Sequence, residues 1–89
     1  MFAEPGVAYE FEIRSHCGID HPIEFDGRFW MVSDARYRNT HNPPPGFDFN
    51  TDRGTMTLVD IETARYRSSG GTMVLFEPFD GVIKLEACY

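Results

Sequence analysis

An all-β fold is predicted: a small barrel or sandwich of about six mainly antiparallel strands, of the SH3-like or OB-like kind. Three observations predict it. Several segments alternate apolar and polar residues with a period of two, clusters of turn residues punctuate them every ~8–12 residues, and no segment sustains a helical period. One stretch, 33–54, interrupts the rhythm with a long proline-rich connection.

Taken in order, residues 1–7 read as a flexible lead-in containing Pro5-Gly6. The segment Tyr9-Glu10-Phe11-Glu12-Ile13-Arg14 then alternates strictly, which places Tyr9, Phe11 and Ile13 inward and Glu10, Glu12 and Arg14 in water. The run from Ile23 to Val32 reads as a hairpin about Asp26-Gly27, because Asp-Gly favours a type I′ turn in which both central residues have φ > 0. With that loop, Phe25 faces Arg28, Glu24 faces Phe29 and Ile23 faces Trp30. Ile23, Phe25, Trp30 and Val32 then share the core face, and Phe29 and Met31 need other cover.

Residues 33–54 hold Asn42-Pro43-Pro44-Pro45-Gly46 followed by Phe47-Asp48-Phe49. Three successive prolines lack amide donors and fix φ, so they belong to neither helix nor sheet interior. A connection this long is expected to be a packed Ω-type loop or a functional one. Strand patterning resumes at Met56–Val59, with a tight connection at Asp60-Ile61-Glu62. Thr63–Arg67 directs Ala64 and Tyr66 inward, and Ser68-Ser69-Gly70-Gly71 is a turn. Thr72–Phe76 is continuously apolar and reads as a central strand or one covered on both sides. Pro78-Phe79-Asp80-Gly81 turns the chain, and Val82–Leu85 begins a last strand.

The 89 residues make one domain, and 15% of them are aromatic, so a few large rings can build its core. A formal net charge of −6 disfavours nucleic acid and anionic membrane surfaces. It suits solubility or a basic protein partner. No apolar run reaches the ~18 residues of a membrane span, and the first residues lack the pattern of a signal peptide. The expected location is therefore the cytoplasm, where the two cysteines, Cys17 and Cys88, would be reduced; the alternative is that they pair and close a long loop, stabilising the fold by about 4 kcal/mol.

Four constellations bear on chemistry. His16, Cys17 and His21, with Cys88 or His41 brought near, are the candidate zinc ligands, although no pair has the usual metal spacing. Cys17 with His16 or His21 as base is the candidate thiol site. Glu10 and Glu12 lie ~7 Å apart on one face and read as a solvated strand surface. Pro43, Pro44, Pro45, Phe47 and Phe49, with Phe29, form the candidate partner-binding set, since stiff prolines and large rings suit an interface. The alternative for the same loop is that its rings fold back and cap the barrel. Arg65 and Arg67 are expected to lie across from glutamates such as Glu10 and Glu12.

The strings His16-Cys17-Gly18-Ile19, Trp30, Asn42-Pro43-Pro44-Pro45-Gly46 and Gly54-Thr55-Met56-Thr57-Leu58 occur in one order. In this the chain resembles a group of small actinobacterial or actinophage proteins over about residues 9–77. The resemblance implies no activity and transfers no catalytic residue. The reading is thus a non-enzymatic module with a protein as partner and no cofactor. The alternatives are a small zinc or thiol protein, and a small-ligand binder that uses Trp30 or Tyr66 at the barrel mouth.

Overall fold

A computed structural model describes residues 2–38, 40 and 42–81. Its strands are β1 (Ala8–Arg14), β2 (Ile23–Phe25), β3 (Arg28–Val32), β4 (Thr51–Asp60), β5 (Thr63–Ser68) and β6 (Met73–Pro78). They form one antiparallel sheet in the order β1-β4-β5-β6-β3-β2, rolled into a nearly closed barrel compatible with a small SH3- or OB-like architecture. The end strands meet through their side chains. The Phe25 ring of β2 stands edge-on to Tyr9 and Phe11 of β1, with centroids 6.2 and 5.6 Å apart.

The hairpin has the expected register, Ile23 with Trp30, Glu24 with Phe29 and Phe25 with Arg28. Asp26 and Gly27 both have positive φ, 57° and 68°, as a type I′ turn requires. Ile23, Phe25, Trp30 and Val32 are buried. The Trp30 indole N–H donates to the Phe25 carbonyl at 2.8 Å, which satisfies its polar atom inside the core. The Arg28 guanidinium covers the same ring from outside, 4.5 Å from its centroid. Ile13 from β1, Met56 and Leu58 from β4, Ala64 and Tyr66 from β5, Val74 and Phe76 from β6, and Ile19 and Tyr37 from the connections complete the core.

Several expectations are corrected or resolved. The sheet resumes at Thr51 rather than at Met56, so the long connection ends at residue 50. The inward positions there are Asp52 and Gly54, which carry no apolar signal although they continue the period of Met56 and Leu58. Within the connection, Ala35–Tyr37 forms a 3-10 turn that buries Tyr37 and is capped by the Asp34 carboxylate accepting from the Arg36 amide. Of the two alternatives for β6, the central one holds: it lies between β5 and β3, with Met73 and Leu75 about half exposed on the outer side. The lead-in hydrogen-bonds to the rest of the chain: the Ala3 amide donates to Asp26, that of Glu4 to the Tyr9 hydroxyl and that of Gly6 to the Leu58 carbonyl. Finally, β1 pairs with β4, so Glu12 meets Arg53 while Arg65 and Arg67 lie one strand further away. The strand expected at Val82–Leu85 falls outside the described residues.

Candidate partner-binding surface at the proline-rich loop

The loop is organised around a carboxylate. Asp52 is the inward residue near the start of β4 and is fully buried. Its Oδ2 accepts from the Tyr66 hydroxyl at 2.5 Å, and its Oδ1 accepts from Ser68 Oγ at 3.0 Å and from the Asp48 amide at 2.9 Å. Three donors replace the water that burial removes, and one of them belongs to the loop itself. Burial, reinforced by the bond to this carboxylate, pushes the Tyr66 phenol far above its usual range.

The rest of the loop is tied to both flanks. Thr72 Oγ1 donates to the Pro45 carbonyl and Ser68 Oγ to that of Gly46. Gly46 and Gly70 approach so closely that a Cβ on Gly70 would lie 2.2 Å from the Gly46 oxygen, which only glycine permits. On the other flank Ser15 Oγ donates to the carbonyls of Asp48 and Phe49, and the Ser15 amide to that of Asn50.

This scaffold divides the candidate residues. Pro44 is buried, Pro43 is half-buried, and Phe47 packs on Tyr66 with ring centroids 5.6 Å apart. These residues cap the barrel. Pro45 and Phe49 point outward, and Phe49 is 62% exposed, resting against the exposed His16 ring at 4.8 Å. Phe29 is 39% exposed on β3 and makes no ring contact with Phe47 or Phe49 among the described residues. Sequence reasoning missed Asp52, Ser15 and Ser68. Their polarity concealed their inward placement, and only the period of two signalled it: Ser15 continues Tyr9, Phe11 and Ile13, Ser68 continues Ala64 and Tyr66, and Asp52 precedes Met56 and Leu58.

The histidine and cysteine cluster does not converge. His16 faces Phe49, while the ring nitrogens of His21 face the carbonyl oxygens of Arg14 and Pro22 at 2.9 and 3.3 Å. Cys17 is in a disulfide, which corrects the expectation of a reduced thiol: a thiolate nucleophile or ligand requires the free sulfur. Among the described residues no group of three or more His, Cys, Asp and Glu is placed to hold a metal ion, and His41 and Cys88 lie outside those residues. Trp30 and Tyr66 are both wholly buried, so neither ring lines an open mouth. Glu10 and Glu12 are exposed. No described helix is long and apolar enough to cross a membrane.

Comparison with protein-family models, with curated proteins and with solved structures finds no match to this chain.

Proposed function

We propose that this domain is a non-enzymatic interaction module that presents Phe49, beside His16, and the exposed Pro45 of the same loop to a protein partner. The observation that carries this reading is the exposure of a large ring on a backbone that is bonded on both flanks and from within. Such a ring loses little conformational freedom on binding, so its apolar surface contributes to affinity with a small ordering cost. Aromatic anchors of this kind dominate interface energetics. Phe47 and Pro44 have a supporting role, because they hold the loop against the barrel.

The test is affinity capture with the wild-type domain and its Phe49→Ser variant, followed by binding measurement with the captured protein. The expected result is a partner that binds the wild type and binds the variant at least about tenfold more weakly, with no change in melting temperature. Equal binding by the two forms would remove Phe49 from the interface and the reading with it.

A further inference from the structure

We propose that the outer face of β5 and β6 is a docking site for an acidic, extended peptide segment of another protein. The site uses residues distinct from the Phe49 surface and does not rest on it. Arg65 and Arg67 project outward from β5, and Leu75 and Met73 lie directly across from them on β6. The face therefore carries two parallel rows, one cationic and one apolar, with Leu75 47% and Met73 55% exposed. A groove of about 380 Å³ runs along it, lined by Ser33, Asp34, Arg36, Arg65, Met73 and Leu75.

Charge selects the occupant. Arg28, Arg36, Arg38 and Arg53 each meet a carboxylate of their own chain. Arg65 and Arg67 meet none among the described residues, in a chain whose net charge is −6. Two like charges on one strand face repel, and carboxylates supplied from outside relieve that repulsion through charge-assisted hydrogen bonds. Within the groove, Asp34 is already engaged by Arg36, whose hydrogen bonds hold its carboxyl below the usual range. Arg65 is therefore the groove's unneutralised cation.

Spacing selects the form. Same-side residues of a strand repeat every ~7 Å, and alternate side chains of an extended peptide diverge to opposite sides. A peptide lying over the seam between β5 and β6 directs one set toward the arginines and the other toward Leu75 and Met73. Alternating acidic and bulky apolar residues satisfy both rows at once. At this face a basic segment meets Arg65 and Arg67 and is repelled, even though the domain as a whole is acidic.

The probe is a fluorescein-labelled peptide of alternating Glu and Leu, titrated with the full chain and followed by anisotropy. Its Lys/Leu counterpart is the control. The expected result is binding of the Glu/Leu peptide alone, weakened at least about tenfold by Arg65→Glu with Arg67→Glu, and weakened by raising salt from about 0.05 to about 0.5 M. Leu75→Ser reduces it, whereas Phe49→Ser leaves it unchanged, so this site and the Phe49 surface fail independently. A milder pair, Arg65→Gln with Arg67→Gln, repeats the test if the charge reversal unfolds the domain. Equal binding by the arginine variants, binding that ignores salt, or no binding at millimolar protein would overturn the proposal. Self-association in sedimentation that both arginine pairs abolish would assign the face to a second copy and overturn it equally.

Discussion

The hairpin β2–β3 and the proline-rich loop are held in place by opposite means. In the hairpin, a two-residue turn sets the register and an apolar face buries Ile23, Phe25, Trp30 and Val32. In the loop, a buried carboxylate collects three donors, and hydroxyls of Ser15, Ser68 and Thr72 bind backbone carbonyls. Burial of apolar surface is non-directional and tolerates adjustment. A buried polar network is directional and fails as a unit, because each lost partner leaves another group unsatisfied. The loop can thus display Phe49 rigidly without an apolar period of its own.

The largest effect that tests this contrast belongs to the hairpin. Trp30→Ala removes a fully buried ring and is expected to cost about 3–5 kcal/mol, read by urea denaturation, and to leave little folded protein. A variant as stable as the wild type would contradict the packing described above.

Next comes the polar centre. Asp52→Ala leaves the Tyr66 and Ser68 hydroxyls and the Asp48 amide without their acceptor and is expected to cost about 2–4 kcal/mol. Hydrogen exchange of residues 46–50 is expected to accelerate more than that of β3. Combining Asp52→Ala with Tyr66→Phe is expected to cost less than the two singly, since they share one bond. Strict additivity would show that the network does not act as a unit.

A smaller effect separates the two regions by pH. The Tyr66 phenol is raised in the folded state, so folding favours its protonated form. Its contribution is fully present below the ordinary phenol value of about 10 and is lost as pH rises above it, because the unfolded chain then releases the proton first. Tyr66→Phe is expected to cost about 1–2 kcal/mol at neutral pH and to flatten the alkaline fall in stability. An equally steep fall in that variant would place its origin in another group.

The smallest effect on stability is that of Phe49→Ser, expected to stay within about 0.5 kcal/mol of the wild type by thermal melting. A large loss would mean that the ring supports the fold instead of facing a partner.

Most of the barrel was legible wherever apolar residues alternate. Tyr9, Phe11 and Ile13, the hairpin set, Ala64 and Tyr66 all face inward as their spacing implied. The start of β4 was hidden because its inward residues are Asp52 and Gly54. The continuous apolar run of β6 left open a central strand or one covered on both sides; β6 is central, and Met73 and Leu75 face outward. The loop was legible only as irregular. Which of its rings face in depended on contacts with Tyr66 and Ser15, residues distant along the chain.

By itself the sequence determined the all-β class, the hairpin register and the inward rings of the alternating strands, though not the buried Tyr37. Those properties follow from alternation and turn chemistry, which act between near neighbours. The tertiary structure alone decided the pairing of β1 with β4, the burial of Asp52, the division of the loop between cap and surface, and the two-row face of β5 and β6. Each depends on groups far apart in the chain, where satisfying a buried polar atom or leaving a side chain exposed is settled only once all six strands are in place.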